Sequence, residues 1–258
     1  MPTATLRTDL TSMLGAWRSV LPAAWRPGFD GVELPFDQIP ATLAGGPIWP
    51  KRFFHALEDM NPDRVRAVIF GNDPYTKIQQ ATGRSFEQGD VTDWKAQIRS
   101  KTVSPSLRNI VIAAVRTQPA WKKKTGLQIA KAVASGEITL PADLFSRWAA
   151  QGVLWPNRTL TFSVWDGKIR DAHKQLWAPF TSRVLIALGA QAKARAVAFV
   201  MWGGIAQQLE APIVAMKAPG AKIVKAGHPQ MAAGYFKGGR NPLDDINAAI
   251  GPPAVKWF

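Results

Sequence analysis

The sequence predicts an α/β fold of three layers (α/β/α), in which helices cover both faces of a central, mainly parallel four-stranded sheet. Four short runs of β-branched or apolar residues stop abruptly in polar turns that carry glycine or proline. Stretches with helical character separate these runs, and strand alternating with helix is typical of a parallel sheet. The chain has 258 residues, of which 47% are apolar, enough to bury the core of one such domain.

Each predicted element has a place in the chain. The strands are predicted at 65–70, 153–154, 196–201 and 223–226. The helices are predicted at 106–115, 144–151, 173–188, 205–209 and 242–250. Residues 1–50 carry helical spacing at Leu10, Met13, Leu14 and Trp17, followed by a proline- and glycine-rich connection. We expect them to form a helical and irregular N-terminal extension that packs on a single domain comprising residues 1–258.

The charge of the chain is strongly basic and unevenly placed. There are 32 Lys and Arg residues against 18 Asp and Glu, a net charge of +14. Residues 94–136 hold nine basic side chains and no acidic one, and residues 183–240 hold eight against Glu210 alone. Clustered positive charge favours a polyanionic partner, because each neutralised phosphate releases condensed counterions. A basic surface that serves only solubility is the alternative interpretation.

Other compositional features exclude whole classes of protein. The chain has no cysteine and only three histidines, His55, His173 and His228, so we expect no disulfide, no metal site and no cofactor. No apolar stretch approaches the roughly 20 residues that span a bilayer. The first residues lack a basic end followed by an apolar run and a cleavage site, the pattern of a secretory signal. We therefore expect a cytoplasmic protein with no membrane partner.

The turns after the four strands are where a ligand site is expected, because parallel strands end at one edge of the sheet. The first turn is Gly71-Asn72-Asp73-Pro74-Tyr75, where proline forces a sharp bend after a buried strand. Such a bend alone is a common β-turn, but a carboxylate and an aromatic ring at this edge indicate a role for Asp73 and Tyr75. The second turn ends in Asn157, whose amide either caps a helix or reads the amide edge of a pyrimidine.

The third and fourth turns add a glycine pair and a histidine. Gly203-Gly204 opens a predicted helix, where close backbone approach and a helix N-terminus favour an anion such as phosphate. His228 stands in Gly227-His228-Pro229-Gln230-Met231, directly after the last strand. An isolated histidine is more often a packing residue. Three other candidates at corresponding strand ends favour a functional role here.

Six short segments are each weak evidence for a protein family, but their common order and spacing make them informative together. They are Gly71-Asn72-Asp73-Pro74-Tyr75-Thr76, residues 80–86 ending in Phe86, residues 104–110 beginning Ser104-Pro105-Ser106, residues 148–161 with Asn157, Trp202-Gly203, and His228-Pro229. They resemble motifs of the uracil-DNA glycosylases, among them Gly-Gln-Asp-Pro-Tyr-His, Trp-Gly-Ser and His-Pro-Ser. The resemblance covers about residues 50–250, and the housekeeping branch (family 1) is the most similar.

The resemblance implies an activity and a set of roles. Asp73 and His228 would be catalytic, Asp73 by orienting the attacking water and His228 by donating a hydrogen bond to the leaving uracil. The expected substrate-binding residues are Asn72, Tyr75, Phe86 and Asn157. The expected DNA-binding residues are Ser106, Gly203, Gly204, Pro229, Gln230, Met231 and Ala232. The protein would flip uracil out of single- or double-stranded DNA and hydrolyse its glycosidic bond, as a monomer with no metal or cofactor.

Three positions depart from the motifs of the family. Asn72 replaces Gln and is shorter by one methylene, and Thr76 replaces His, with Lys77 as a possible electrostatic substitute. After His228, Ala232 stands where a leucine would wedge into the base stack, and Met231 is the nearest residue large enough to act instead. We expect altered turnover or substrate preference with the reaction retained.

Three other functions compete with uracil excision. One is a DNA-binding protein of the same fold that grips uracil or abasic sites with weak or altered excision. The second is a glycosylase for another deaminated base or a mismatch, and the third is a basic RNA-binding module. Retention of Asp73, Asn157 and His228 argues against a pure binder, which needs no water-orienting carboxylate.

Overall fold

The computed structural model describes residues 15–34 and 48–258. Its strands are β1 (Ala67–Ile69), β2 (Val153–Leu154), β3 (Val197–Trp202) and β4 (Ala221–Ala226). They form one four-stranded sheet in the order β2-β1-β3-β4, and every neighbouring pair is parallel. The predicted α/β class with a parallel four-stranded sheet is confirmed.

Eleven α-helices occur within the described ranges. They are α1 (Trp17–Val20), α2 (His55–Glu58), α3 (Trp94–Ser100), α4 (Pro105–Arg116), α5 (Gly126–Ser135), α6 (Leu144–Ala150), α7 (Gly167–Gln191), α8 (Gly204–Gln207), α9 (Glu210–Ala215), α10 (Ala232–Tyr235) and α11 (Pro242–Ile250). Short 3-10 helices lie at Ala23–Phe29, Pro62–Arg64 and Lys237–Gly239. None of the helices in this part of the chain is long and apolar enough to cross a membrane.

The two central strands divide their side chains between two hydrophobic cores. In β3, Phe199 and Met201 face one core while Val200 and Trp202 face the other. All six residues of β3 are buried, as expected for a strand covered on both faces. The edge strand β4 is less covered: Val224 is its one buried residue, and Lys222 and Lys225 are exposed. The alternation of side chains along β3 thus produces the three layers.

Different helices cover the two faces of the sheet. Helix α7 contributes Trp177 and Phe180 to the first core. Helices α4, α6 and α11 supply the second core, for example through Ile110, Trp148 and Ile246. Each of these side chains is at most 2% exposed, so both faces of the sheet are closed to water. The ends of the strands remain as the place for a binding site.

The N-terminal part packs beneath α7. The rings of Trp17 and Phe29 lie 6.1 Å apart, and the ring of Phe29 lies 4.6 Å from that of Phe180. The indole Nε1 of Trp25 donates to the carbonyl oxygen of Met60 at 2.6 Å. Aromatic residues of 17–29 therefore belong to the first core. The predicted helical positions Leu10, Met13 and Leu14 lie outside the described residues.

Several helix boundaries differ from the sequence-based expectation. The helix predicted at 173–188 begins at Gly167, because the Asp166 carboxylate accepts from the backbone N–H groups of Lys168 and Ile169. The helix predicted at 205–209 is the four-residue α8 (Gly204–Gln207), and α9 (Glu210–Ala215) follows it as a separate helix that was not predicted. Three unpredicted helices, α3, α5 and α10, contribute buried side chains to the second core. Only Trp94 of α3 is buried, so its sequence carries no apolar periodicity.

Candidate active site

Backbone pairing continues past the ends of β1 and β2 and brings the first two turns together. The N–H of Gly71 donates to the carbonyl oxygen of Pro156 at 2.9 Å, and the N–H of Arg158 donates to the carbonyl oxygen of Gly71 at 3.0 Å. The N–H of Thr159 donates to the carbonyl oxygen of Asn72 at 2.9 Å. Main-chain hydrogen bonds therefore fix the position of Asn72 relative to Asn157, although 85 positions separate them.

A cavity of about 460 Å³ lies at this edge of the sheet. Of the residues singled out from the sequence, those that line it are Asn72, Asp73, Tyr75, Phe86, Ser106, Asn157, His228 and Gln230. Thr76 also lines it. A carboxylate, an amide and an imidazole from three distant segments thus face one space, which is of the size that small-molecule sites in proteins have.

The carboxylate of Asp73 is held by two donors. Its Oδ2 accepts from Asn72 Nδ2 at 2.7 Å and from Arg170 Nη2 at 2.7 Å. The side chain of Asp73 is 11% exposed and that of Arg170 is 24% exposed. The Arg170 guanidinium lies over the ring of Trp165, with 4.1 Å to the centroid. Asn72, which the sequence predicts as a substrate contact, therefore also anchors the carboxylate.

Arg170 and Trp165 line the cavity, and both were missed from the sequence. The sequence did contain an indication of their role. The start of α7 carries the basic residues Lys168 and Arg170, and its first turn has no acidic residue. The positive end of a helix dipole disfavours cations at that place. Basic residues at that place indicate a purpose other than helix stability.

Asn157 is 4% exposed and lies against the backbone of the first turn. A Cβ atom at Gly71 would come within 2.3 Å of Asn157 Oδ1 and 2.6 Å of Ser85 Cβ. Position 71 must lack a side chain for the amide to occupy this place. Gly71 in the first turn thus makes room for the Asn157 amide of the second turn.

Two aromatic rings form walls of the cavity. Phe86 adopts the left-handed backbone conformation, with φ of 62°, which is uncommon for a bulky residue. Its ring lies 5.9 Å from that of Trp202 and 5.9 Å from that of His228. The hydroxyl of Tyr75 donates to the carbonyl oxygen of Phe86 at 3.1 Å and lies 2.8 Å from Ser104 Oγ. Burial raises the pKa of Tyr75 to about 12, so the hydroxyl stays protonated.

The imidazole of His228 has a defined tautomer. Its Nδ1 accepts from the backbone N–H of Gln230 at 3.2 Å, so Nε2 carries the proton of the neutral ring. Burial lowers the pKa of His228, which favours the neutral form. Gly203, with φ of 88°, packs against this side chain, and a Cβ there would lie 2.9 Å from His228 Cβ. Gly203 therefore supports the imidazole directly.

The remaining predicted DNA contacts are not among the residues that line the cavity. The carbonyl oxygen of Pro229 accepts from the buried Asn109 Nδ2 at 2.7 Å, which ties the loop to α4. Met231 is 67% exposed, and Ala232 is exposed at the start of α10. Gly204 begins α8 with open space beside it. Lys77 is exposed.

The chain is similar to named proteins over most of its length. No protein-family model matches it. A uracil-DNA glycosylase of Streptococcus equi subsp. zooepidemicus is 31% identical over 230 residues, covering 86% of this chain and 88% of the relative. One of Bordetella petrii is 30% identical over 231 residues, covering 89% and 78%. Uracil-DNA glycosylase 2 of Streptomyces coelicolor is 28% identical over 257 residues and 97% of both chains.

Solved structures agree on the fold. A wild-type UNG structure from Nitratifractor salsuginis has a TM-score of 0.69 and 20% identity, covering 98% of this chain and 97% of that one. The uracil-DNA glycosylase of mimivirus has a TM-score of 0.57 and 21% identity, covering 82% and 71%. With the sequence identity to the bacterial relatives, the predicted resemblance is confirmed. This chain belongs to the uracil-DNA glycosylase family.

Proposed function

We propose that this protein flips uracil out of DNA and hydrolyses its N-glycosidic bond, leaving an abasic site. The observation that carries the proposal is the convergence of Asp73, Asn157 and His228 on one cavity with Phe86 in its wall. A glycosylase needs such a cavity, because the bond that it cleaves cannot be reached while the base is stacked in a duplex. Membership of the uracil-DNA glycosylases supports uracil as the base.

Recognition of uracil is assigned to three side chains. The amide of Asn157 has a donor and an acceptor, which match the acceptor and donor of the uracil amide edge. The ring of Phe86 stacks on the base. Tyr75 fills the space beside C5 of the pyrimidine, so that the methyl group of thymine clashes with its ring. The two hydrogen bonds of the Tyr75 hydroxyl support this role, since they hold the ring in place.

Cleavage of the glycosidic bond produces a positive and a negative charge, and the site has one side chain to stabilise each of them. The electron pair of the glycosidic bond leaves with uracil, and the sugar becomes cationic. The Nε2 proton of His228 is hydrogen-bonded to a uracil oxygen and stabilises the developing anion, an effect of about 100- to 1000-fold in rate for one such donor. Asp73 stabilises the cationic sugar and accepts a proton from the water that attacks the anomeric carbon.

The DNA strand is held by charge and by the loop after β4. The net charge of +14 supplies sequence-independent attraction to phosphates. Ser106, Gly203, Gly204, Pro229 and Gln230 are assigned to the strand on either side of the flipped nucleotide. Met231 is assigned as the wedge that replaces the extruded base, supported by its 67% exposure beside the small Ala232. Single- and double-stranded DNA would both be substrates.

Two further points belong to this proposal. The enzyme is proposed to act as a monomer. We place its activity in the cytoplasm, where the strongly basic chain would meet DNA. The alternative, a protein that binds uracil or abasic sites with weak excision, requires the same cavity and differs in turnover.

One assay tests the proposal against its alternatives. The protein is incubated with single- and double-stranded oligonucleotides that contain uracil, hypoxanthine or a thymine mismatch, and strand breakage is scored after alkali. Breakage is expected with uracil only, and Asp73→Asn is expected to reduce the rate by about 100- to 10,000-fold. His228→Ala is expected to lose about 100- to 1000-fold.

A matched control is Asp143→Asn, which removes an exposed carboxylate directly before the start of α6. It should leave the rate unchanged. Tight binding of the uracil strand without any breakage by the unaltered protein would favour the binding protein, and breakage at hypoxanthine or thymine mismatches would favour a glycosylase of another specificity.

A further inference from the structure

The ion pair between Arg170 and Asp73 conflicts with the role proposed for Asp73. Arg170 Nη2 and Asn72 Nδ2 both donate to Oδ2 of the carboxylate. A guanidinium at 2.7 Å offsets the negative charge that would stabilise a cationic sugar, because two opposite charges at contact partly cancel at any distance beyond the pair. Without DNA, the ion pair with Arg170 therefore reduces the ability of the Asp73 carboxylate to stabilise a cationic sugar.

Arg170 is placed so that it can exchange this partner for another anion. Its guanidinium rests on the ring of Trp165, and this ring is 69% exposed, so the pair stands at the rim of the cavity. Arg170 Nε is buried without a hydrogen-bond acceptor in the described part of the chain. The guanidinium thus has donor capacity that the protein does not use. A planar guanidinium matches phosphate as well as carboxylate, often through two hydrogen bonds.

We propose that Arg170 binds a phosphate of the strand that carries the uracil and releases Asp73 as it does so. The exchange breaks one ion pair and forms another, with no covalent step. It makes the carboxylate fully available only when DNA is in place, so substrate binding itself prepares the site. This inference rests on the proposed function, since it assigns the phosphate to a uracil-bearing strand.

The experiment separates phosphate binding from positioning of Asp73. The probe is a short single-stranded oligonucleotide with one deoxyuridine whose sugar carries fluorine beside the anomeric carbon. Fluorine withdraws electrons and disfavours the sugar cation, so the probe is bound without being cleaved. Its dissociation constant is measured at several salt concentrations for the unaltered protein, Arg170→Gln and Arg170→Lys. The kcat for release of uracil from an ordinary strand is measured at saturating DNA.

The matched control is Arg64→Gln. Arg64 is exposed and precedes β1, so it lies at the opposite edge of the sheet from the cavity. The substitution Arg64→Gln removes one positive charge, as Arg170→Gln does, but removes it far from the cavity. Its salt dependence and its kcat should equal those of the unaltered protein.

For Arg170→Gln we expect several-fold weaker binding, and a slope of log K against log salt that is smaller in magnitude by about 0.7, the value for one phosphate of a single strand. Its kcat at saturation should not fall, because Asp73 is freed. Arg170→Lys keeps the charge and should keep most of the slope. An unchanged slope, or a reduced kcat for Arg170→Gln, would overturn the proposal. If the unaltered protein released no uracil, the proposed function would fail while the slopes still tested Arg170.

Discussion

At the scale of single residues, the site depends on a position where a side chain is not tolerated. A Cβ at Gly71 would lie 2.3 Å from Asn157 Oδ1. We expect Gly71→Ala to displace the amide, to destabilise the protein by about 1–3 kcal/mol through overpacking, and to lower kcat/KM for uracil excision. Urea unfolding and excision assays measure the two effects.

The control for this substitution is Gly167→Ala. Gly167 begins α7 and has no atom within 4 Å of an added Cβ. Its stability and activity should match those of the unaltered protein. Full activity of Gly71→Ala would show that the position of the amide does not matter.

Tyr75 is the residue at which base selectivity can be tested. Its ring is a wall of the cavity, and its hydroxyl is held by Phe86 and Ser104. We expect Tyr75→Ala to remove the steric barrier and to permit release of thymine from DNA. Tyr75→Phe keeps the ring and loses only the hydroxyl contacts, so it should still reject thymine. If neither variant released thymine, another group would have to exclude the methyl.

At the scale of elements, α7 links stability to the site. Asp166 caps the helix by accepting from the N–H groups of Lys168 and Ile169 at 3.0 and 3.1 Å, and Arg170 follows one residue later. We expect Asp166→Ala to cost about 1 kcal/mol of stability and also to weaken binding of uracil-bearing DNA, because the turn that holds Arg170 loses its cap.

A capping residue on another helix provides the comparison. Thr125 accepts from the N–H of Gln128 at 3.2 Å and completes a capping box on α5. Thr125→Ala should cost a similar free energy of unfolding and leave DNA binding unchanged. Equal loss of DNA binding in both variants would mean that the cap of α7 has no specific effect on the site.

The elements also show where sequence periodicity is informative. The burial of β3 and the bounds of α11 follow from local sequence, whereas the start of α7 at Gly167 lies six residues before the predicted start at 173. Helix α3 has one buried side chain, Trp94, and no local pattern predicts it. The break between α8 and α9 coincides with Pro212, which has no N–H to donate to the carbonyl oxygen of Gln208.

At the scale of the whole molecule, a buried histidine makes stability depend on pH. His173 is 1% exposed and lies between the hydroxyls of Thr161 and Ser163, at 2.9 and 3.0 Å from its two ring nitrogens. Burial lowers the pKa of His173 from 6.5 to about 4. The folded protein therefore keeps this ring neutral over a range of pH in which the unfolded chain protonates it.

The sign of the effect follows from proton binding. Between pH 6.5 and about 4 the unfolded state binds more protons, so the free energy of unfolding falls as the pH falls through this window. The contribution of His173 is fully present above the unfolded pKa. It amounts to roughly 3 kcal/mol over the window, at about 1.4 kcal/mol for each pH unit.

We expect His173→Gln to remove this part of the pH dependence. The other histidines stay in place, so the difference between variant and unaltered protein isolates His173. Urea unfolding near neutral pH and near pH 5 provides the measurement. The unaltered protein should lose about 2 kcal/mol more than the variant between these values. Parallel losses would show that the buried ring is not the cause.

The sequence by itself determined the α/β class, the four strands and the turns from which Asp73, Asn157 and His228 project. These follow from side-chain periodicity and turn chemistry, which act between near neighbours. The tertiary structure alone decided that Arg170 pairs with Asp73, 97 positions away, and that Gly203 supports His228. Such contacts depend on how α7 and the strand ends dock on one sheet, and no local pattern encodes that packing.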